Sequence, residues 1–530
     1  MPSIGGKGGT EVAERLKMSD FIGIAAFSAL FGLSRTVFCA LQSDLQVSAL
    51  WIFVSSAILC AAFTILLSAL IRHKPLHRID QRARPAALSA STPSVFSWKQ
   101  FFVLFLIVNT AALLTWFPGT TYYDTLLIYF NRMTMMTQFP PIYCLWITVM
   151  ADLGRAVHYP RLTMIVLSIT QILAVSAMLA QICHWIWGKK LPVWFKAAAV
   201  LFCALNPLYS MYAVAAIKDT LASLSLVVIM TVLYDMTIED GEQAKENWYI
   251  LALCFAFPLA FRSNGFFIIM LLLAVMFFHF RNSRRQILFL FLELILIQAA
   301  EKLLLWRFGV APFIQEALAI PLQQICATVA WGGHLTADQS SFINALLPLD
   351  VIREVYNPYI VDPIKWNPEF GGGFLKTNLP GFFQTWFAVL PNNFGIYVKA
   401  YLLQTLGYWA PANLGTTEIF TAIEGLHSDY LTANQLVTAS VWGNGFLQNV
   451  LESYYRSAVH FPSEGIWIWL MLYCCFFREL NRKDRLSLFL YAPCLLCWLS
   501  LMLASPVYTG TRYALCYFYG IPVFLALAIL

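Results

Sequence analysis

Long apolar runs alternate with short polar segments along the 530-residue chain. A helix needs about 20 apolar residues to cross a bilayer. By this measure the pattern predicts an all-α polytopic transmembrane bundle of about 12 spans, with an external loop domain. The spans are expected at 21–42, 47–71, 99–117, 161–187, 192–216, 219–235, 248–261, 265–280, 286–306, 462–477, 486–505 and 512–530.

Composition narrows the class of protein further. Hydrophobic residues make up 59% of the chain and charged residues only 12%, whereas soluble domains carry about 25% charged residues. This excludes a disordered chain and a soluble globular fold. The net charge of +6 is spread over a few short clusters and forms no dense basic stripe, so no nucleic-acid partner is expected. Membrane lipids are the expected surroundings.

The basic clusters predict which way the chain crosses the membrane. Short loops rich in Lys and Arg face the cytoplasm. All clusters fall on that side when the apolar stretch 139–157 is treated as external or re-entrant. We therefore expect a multi-pass plasma-membrane protein in which segments 118–160 and 307–461 are extracytoplasmic. The clusters are Arg72, Lys74, Arg78, Arg82 and Arg84; Lys189, Lys190 and Lys196; Arg281, Arg284 and Arg285; and Arg478, Arg482, Lys483 and Arg485.

The same map divides the chain into four parts. Residues 1–98 form a cytoplasmic tail, two extra spans and a basic loop. Residues 99–306 form a transmembrane core that includes the first external loop, 118–160. Residues 307–461 form an extracytoplasmic loop domain, and residues 462–530 form the last spans. The external segment is long, and loops of this length usually have a function.

Charged residues at the predicted outer ends of spans are the candidate functional residues. Charges at a membrane edge are costly and are retained mainly where they have a function. From position alone, Asp124 could be a turn or cap residue, Lys218 and Asp219 could form a local ion pair, and the arginines could be anchors to lipid phosphate. The predicted map places all of them at one face: Asp124, Lys218, Asp219, Arg262, Asn264 and Arg512.

The order of these residues resembles the GT-C superfamily of membrane glycosyltransferases, in particular its protein-mannosyltransferase-like branch. Asp124 matches the acidic residue of the first external loop in that family. The His expected before the family's Pro pair is replaced here by Gln138-Phe139. An uncharacterised bacterial branch is similar at further positions. These positions are Arg262-Ser263-Asn264-Gly265, Ile320-Pro321-Leu322-Gln323-Gln324 and Arg512-Tyr513. Within the superfamily pattern itself, Gln138-Phe139-Pro140-Pro141-Ile142-Tyr143 looks like the Pro-pair element, and Asn206-Pro207 followed by Lys218-Asp219 looks like the second acidic element.

The resemblance implies transfer of a sugar from a polyprenyl-phosphate donor to a cell-envelope glycan, lipid or protein. Asp124 would be the catalytic base, because such a reaction needs a group to take the acceptor proton. A divalent metal held by Asp124 and Asp219 stays open, as do the sugar, the acceptor and the oligomeric state. The implied substrate-binding residues are Lys218, Asp219, Arg262, Asn264, Gln138, Arg512, Tyr513, Gln323 and Gln324.

A transporter or flippase for a lipid-linked or polar solute is the alternative. Transporters often have repeated halves and spans interrupted near the bilayer midplane. The sequence shows no repeat, and its apolar runs indicate no interrupted span. The predicted charges instead gather at one membrane face. This arrangement favours chemistry on a lipid-linked substrate over transport.

Overall fold

The computed structural model describes most of the chain, and the described part is helical. It covers residues 17–42, 49–73, 96–238, 244–412, 414, 417–420, 436, 438–443, 445–483, 485–504, 507–508 and 510–530. Regular secondary structure within these ranges consists of α-helices and short 3-10 helices, which confirms the predicted all-α class. The chain divides into two compact units. The smaller holds the described residues before Pro93 together with Phe476–Arg485, and the larger holds 93–475 and 486–530.

The smaller unit is built on a pair of apolar helices, α1 (Met18–Leu41) and α2 (Ala49–His73). They approach closely at Gly32, where an added Cβ would lie 2.7 Å from the carbonyl oxygen of Phe53. Small residues commonly allow such close approach between membrane helices. An ion pair of 3.0 Å between Lys483 and Asp20 connects the segment Phe476–Arg485 to the start of α1.

Within the described ranges, 22 further α-helices follow these two. They are α3 (Trp98–Thr115), α4 (Tyr123–Asn131), α5 (Pro141–Ala156), α6 (Arg161–Gly188), α7 (Val193–Leu205), α8 (Pro207–Val214), α9 (Asp219–Ile238), α10 (Lys245–Phe261), α11 (Gly265–His279), α12 (Arg284–Phe308), α13 (Ala319–Ala330), α14 (Ala337–Leu346), α15 (Leu349–Val355), α16 (Asp362–Lys365), α17 (Gly372–Thr377), α18 (Leu379–Val389), α19 (Phe394–Gln404), α20 (Leu406–Trp409), α21 (Phe446–Arg456), α22 (Glu464–Arg482), α23 (Ser487–Ala504) and α24 (Leu515–Ile529).

Helix α9 is the centre of the larger unit. It packs against α6, α10, α23 and α24, and nearly all of its side chains are buried. Two of its hydroxyl groups are satisfied within the helix, whereas that of Ser223 has no hydrogen-bond partner among the described residues. Ser225 and Thr231 donate to the carbonyls of Ala222 and Val228, at 2.8 and 2.7 Å. A helix that is apolar on all sides and surrounded by other helices forms a core in either a membrane or a large protein.

The predicted span 192–216 is interrupted. Helices α7 and α8 meet at an angle of 46°. Asn206 lies between them and accepts a hydrogen bond of 3.0 Å from the backbone N–H of Leu208, while Pro207 occupies the first position of α8. Asn as N-cap followed by Pro is a strong helix start. The expectation that no span is interrupted was therefore wrong.

Seven helices are long and apolar enough to cross a membrane, or eight if α7 and α8 form one span, among the residues that the structure describes. The predicted number of about 12 is not confirmed. Helices α10 and α11 have 17 and 15 residues, shorter than a full span. Helices α12 and α22 are long enough but carry charged residues within their length. The apolar helices nevertheless indicate a membrane protein.

Segment 307–461 contains a hydrophobic cluster of its own within the larger unit. Its centre is the inner face of α13, with Leu322 and Ile325, and the short helices α14 to α18 contribute further members such as Phe382. The segment is therefore an ordered set of short helices where the structure describes it. The sequence predicted this segment as external, and that side remains to be tested.

Cysteine labelling tests the predicted sidedness. Ten of the 12 native cysteines are buried and two are half-buried, so background labelling is expected to be low. We expect Asp338→Cys to react with a membrane-impermeant maleimide on intact cells. Lys190→Cys is expected to react only after permeabilisation. Both positions are exposed, so access depends on the side of the membrane. The opposite pattern at either position would contradict the orientation.

Candidate functional site

The site is organised by a short extended segment, Ala215–Lys218, between α8 and α9. The backbone N–H of Ala216 donates to the carbonyl of Thr120 at 2.8 Å. The carbonyl of Ala216 accepts from the hydroxyls of Thr121 and Thr125, at 2.8 and 2.7 Å. These bonds hold the segment beside the beginning of α4. They place Lys218 next to the first turn of that helix.

Side chains from α6 satisfy the carbonyls at the end of α8. Gln171 donates to the carbonyl of Tyr212 at 2.8 Å and also bonds that of Ala215. Ser168 donates to the carbonyl of Val214 at 3.1 Å. Unsatisfied backbone groups are expensive in an apolar interior. The polar residues of the otherwise apolar α6 therefore have a structural reason.

Asp124 lies in the first turn of α4 and is largely buried, with 15% of its side chain exposed. Its Oδ2 atom accepts hydrogen bonds from Lys218 and, at 2.9 Å, from Nη1 of Arg512. The other oxygen, Oδ1, accepts no hydrogen bond from the described residues. Asp124 is thus held by two cations through one oxygen.

Arg262, Asp219 and Asn264 form a second polar group, fully enclosed by the protein. Nη1 of Arg262 lies 3.4 Å from Oδ1 of Asp219. Nε of Arg262 donates to Asn264 at 3.2 Å, and Asn264 in turn donates to Ser500 at 2.8 Å. Both carboxylate oxygens of Asp219 are buried and accept no hydrogen bond within the described part of the chain.

Tyr513 connects the two groups. Its hydroxyl accepts from Nη2 of Arg512 at 2.9 Å, and its backbone carbonyl accepts from Nη1 of Arg262 at 3.1 Å. Its ring lies 4.7 Å from the guanidinium of Arg512 and 5.4 Å from that of Arg262. Aromatic faces attract cations at such distances. The two ion pairs therefore belong to one site.

Aromatic rings cover the cations of the site. The ring of Tyr122 lies 4.3 Å from the guanidinium of Arg512. The ring of Phe139 lies 4.8 Å from the ammonium of Lys218. Phe139 lies in the stretch Gln138-Phe139, which stands where the GT-C pattern has a His. The structure places the ring of Phe139 beside Lys218.

The charges around Asp124 determine its ionisation. Burial by itself raises the pKa of this carboxyl group. The charges of Lys218 and Arg512 and their hydrogen bonds outweigh burial, so the pKa of Asp124 lies below its ordinary value. Asp124 is therefore a carboxylate in this structure, and it becomes a better proton acceptor only if its cations are drawn away.

Glu418 is a site residue that the sequence analysis missed. Its backbone N–H donates to the Thr511 hydroxyl at 3.3 Å, and its carbonyl accepts from Tyr212 at 3.0 Å. Burial raises the pKa of its carboxyl group, and Arg512 acts in the opposite direction. Glu418 is thus a third acidic residue of the site, although its carboxyl group forms no ion pair among the described residues. Segment 307–461 carries scattered charge, so no motif distinguished this glutamate.

Three predicted substrate-binding residues lie apart from the charged cluster. Gln323 donates to the carbonyl of Asn357 at 2.7 Å. Gln324 donates to the carbonyl of Tyr397 at 3.2 Å and accepts from Trp386 at 2.9 Å. Both glutamines therefore hold the short helices of segment 307–461 together. Gln138 follows a short 3-10 helix. The residue of this stretch that contacts Lys218 is the neighbouring Phe139, through its ring.

The structure provides little for a metal ion. Within the described ranges, no group of three or more His, Cys, Asp or Glu side chains is placed to hold one. The hypothesis of a metal between Asp124 and Asp219 gains no support from this geometry. Both carboxylates have cationic neighbours instead.

Comparison with known proteins identifies a family. A family model, DUF6020, described as a family of unknown function, matches residues 127–530, about three quarters of the chain. The chain therefore belongs to this family. The match includes Lys218, Asp219, Arg262 and Arg512 and begins three residues after Asp124. No curated protein and no solved structure matches the chain.

The lowered pKa of Asp124 predicts a pH-dependent contribution to stability. A carboxyl group whose pKa is lower in the folded state stabilises the protein above its unfolded pKa. It loses that contribution as the pH falls through the folded value. We expect Asp124→Asn to lower the melting temperature at pH 7, since two buried cations lose their partner. The difference should narrow steadily below about pH 4.

Melting curves of the purified protein between pH 3 and pH 7 measure this effect. Asp338→Asn is the matched control, because Asp338 is exposed. A difference between wild type and Asp124→Asn that stays constant over this pH range would contradict the assigned ion pairs.

Proposed function

We propose that this member of the DUF6020 family is a membrane glycosyltransferase. It transfers a sugar from a polyprenyl phosphate to a cell-envelope acceptor on the extracytoplasmic face of the plasma membrane. The observation that carries the proposal is a single carboxylate, Asp124, held between Lys218 and Arg512 at the edge of an apolar helical core. Such a site pairs a base with the cations that a phosphate leaving group requires.

The three cations suit the phosphate of the donor. Arginine binds phosphate through two parallel hydrogen bonds, and lysine supplies a compact charge. Arg512 and Lys218 have only 12% of their side chains exposed, so their charges act in a partly dry site. Electrostatic stabilisation is strongest where water is excluded. Arg262 supports the phosphate from its position against Tyr513.

The reaction is a displacement at the anomeric carbon of the sugar. The acceptor oxygen forms a bond to this carbon, and the bond from the carbon to the phosphate oxygen breaks. The electron pair of that bond stays with the phosphate, beside Lys218 and Arg512. The acceptor proton goes to Oδ1 of Asp124, the oxygen that accepts no hydrogen bond from the described residues. All atoms and charges balance without a further reactant.

Binding of the donor also activates the base. In the resting site Lys218 and Arg512 lower the pKa of Asp124. A phosphate that takes these cations as its own partners weakens their hold on Oδ2. The pKa of Asp124 then rises, and the carboxylate becomes a better proton acceptor near the acceptor hydroxyl. The base is therefore weak until the donor has bound.

Asp219 acts on the donor through Arg262, the cation with which it pairs. Its side chain is fully buried, and neither oxygen accepts a hydrogen bond among the described residues. A buried carboxylate without hydrogen bonds is costly. The ion pair with Arg262, 3.4 Å between Oδ1 and Nη1, offsets part of this cost. By holding Arg262, Asp219 positions the donor and leaves the proton transfer to Asp124.

The proposal extends to the fold. Helices α10, α11, α12 and α22 would also cross the membrane, although they are short or carry charges. Together with the interrupted pair α7–α8 and the seven apolar helices, they make up 12 spans. This number and the external site agree with the GT-C-like architecture that the sequence resemblance implies.

A transporter or flippase is the second candidate, and one observation favours it. The break between α7 and α8 is the kind of interruption that transporters use to build substrate sites. The transferase remains the better proposal, because α8 and the segment after it bring a base and phosphate-binding cations together. Gradient-driven flux of a solute without a covalent product would decide for transport.

The first test addresses the base. Asp124→Asn is expected to lower kcat for sugar transfer by at least a hundredfold, since general base catalysis contributes roughly 10²–10⁴-fold. Donor affinity should be kept or increased, because Asp124 no longer competes with the phosphate for Lys218 and Arg512. The assay uses purified protein, a labelled pool of polyprenyl-phosphate sugars and cell-envelope acceptors.

Two further variants distinguish loss of catalysis from loss of folding. Asp124→Glu keeps the negative charge between the cations but moves the carboxylate by one methylene, so we expect a folded protein with reduced kcat. Asp338→Asn serves as the exposed control and should keep full activity. Unchanged turnover in Asp124→Asn would remove Asp124 from the mechanism.

The second test addresses the cations. Lys218→Gln and Arg512→Gln should each weaken binding of undecaprenyl phosphate by roughly ten- to a hundredfold. This corresponds to the loss of one charge-assisted hydrogen bond, about 1.5–3 kcal/mol. Quenching of intrinsic tryptophan fluorescence in lipid nanodiscs provides the measurement. Lys190→Gln is the control, since Lys190 is exposed and lies in a cluster predicted to face the cytoplasm. Equal affinities for all variants would contradict the phosphate site.

A further inference from the structure

A cavity of about 130 Å³ lies beside Tyr513 and is lined mainly by residues outside the charged cluster. Glu316, Asp362 and Lys365 form its polar wall. Small and branched apolar side chains, among them Val361, form the remainder. Tyr513 belongs both to this cavity and to the site that holds Asp124. The cavity therefore adjoins the proposed reaction centre.

The polar wall is negatively charged. Nζ of Lys365 lies 2.8 Å from Oε2 of Glu316 and 2.9 Å from Oδ1 of Asp362, so one ammonium group faces two carboxylates. The lysine side chain is 10% exposed, whereas those of Glu316 and Asp362 are 35% and 50% exposed. Their oxygens can therefore accept hydrogen bonds from a ligand. The excess negative charge disfavours a second phosphate.

An aromatic surface flanks this wall. Trp366 follows Lys365 directly, is 40% exposed, and has its ring 5.8 Å from the lysine ammonium. The ring of Phe313 packs edge-on against it, with 5.7 Å between the ring centres. A fixed, exposed aromatic ring beside carboxylate oxygens offers stacking and hydrogen bonding to the same ligand. A sugar ring has both an apolar face and a rim of hydroxyl groups.

The hydroxyl of Tyr513 adds a donor. It accepts a hydrogen bond from Arg512, and a phenol that accepts one bond still has its own proton to donate. Arg512 in turn contacts Asp124 at 2.9 Å. A ligand in the cavity that bonds to Tyr513 is therefore connected to the proposed base through two side chains, those of Tyr513 and Arg512.

We propose that this cavity binds a neutral sugar ring of the acceptor, and this inference rests on the proposed function. Glu316 and Asp362 accept hydrogen bonds from its hydroxyl groups, and Trp366 covers its apolar face. The volume is smaller than the roughly 300 Å³ at which pockets for drug-sized ligands begin. The cavity accordingly takes one ring, and the rest of the acceptor lies outside. The acceptor is then a glycan or a glycosylated molecule.

Saturation-transfer NMR tests the inference without requiring catalysis. The probes are cellobiose, maltose and N,N′-diacetylchitobiose as neutral sugars, with glucose 6-phosphate as the anionic counterpart. The purified protein is kept in a detergent that has no sugar head group. We expect saturation transfer to at least one neutral sugar and none to glucose 6-phosphate.

Variants locate the binding. Glu316→Gln, Asp362→Asn and Trp366→Ala should each weaken sugar binding at least tenfold. Lys365 keeps one carboxylate partner in either acid variant, so the loop is expected to stay folded. Glu369→Gln is the matched control, because Glu369 is an exposed carboxylate near the same loop. Absence of neutral-sugar binding, preference for the sugar phosphate, or equal binding by the three variants and the control would overturn the inference.

A transfer assay separates this inference from the proposed function. The same variants should raise KM for the acceptor at least tenfold while leaving the affinity for undecaprenyl phosphate unchanged. If no sugar transfer occurs but neutral sugars bind at this cavity, the reaction is refuted and the binding site is retained. If transfer occurs and the variants leave acceptor KM unchanged, the cavity assignment is refuted and the reaction is retained.

Discussion

The interruption of the helical backbone between Val214 and Asp219 is the constraint on which the larger unit depends. Backbone groups at such a break lose their helical partners, and each unsatisfied group costs several kcal/mol in an apolar surrounding. Side chains of α6 and threonines near α4 replace those partners. The same bonds bring Lys218 against Asp124. The hydrogen bonds that satisfy the backbone at the break are therefore the same ones that bring the site residues together.

Ion pairing gives this site a stable resting state. Asp124 pairs with Lys218 and Arg512, and Asp219 pairs with Arg262, where few water molecules can screen the charges, and buried ions are tolerated only when paired. Tyr122, Phe139 and Tyr513 shield the cations further. An anionic substrate must therefore exchange partners with a carboxylate. This exchange links binding of the donor phosphate to the ionisation of Asp124, the group proposed to take the proton of the acceptor.

Much of the charged cluster could be predicted because the chain has so few charges. In a sequence with 12% charged residues, those at the ends of apolar runs stand out, and Asp124, Lys218, Arg262 and Arg512 do meet. The all-α class followed from the apolar runs in the same way. Side-chain packing between distant segments leaves no such signal.

The features that the sequence did not reveal have physical reasons. Residues 192–216 are mostly apolar on both sides of Asn206, so their hydrophobicity does not show that the helix stops there. Glu418 lies in a segment where polar residues are common, and only the folded chain brings it near Arg512. Gln323 and Gln324 resemble family positions, yet packing of short helices accounts for their contacts.

The double role of Tyr513 constrains how this family changes over time. Its hydroxyl and its backbone carbonyl each hold a different arginine, and its ring lies against both. A smaller side chain would release Arg512 and uncover Arg262 together, whereas loss of one arginine would leave a carboxylate with one cation fewer. Positions 262, 512 and 513 are thus expected to be retained as a set or replaced as a set across relatives. Covariation among these three positions would reflect the joint holding of both arginines by Tyr513 rather than simple proximity.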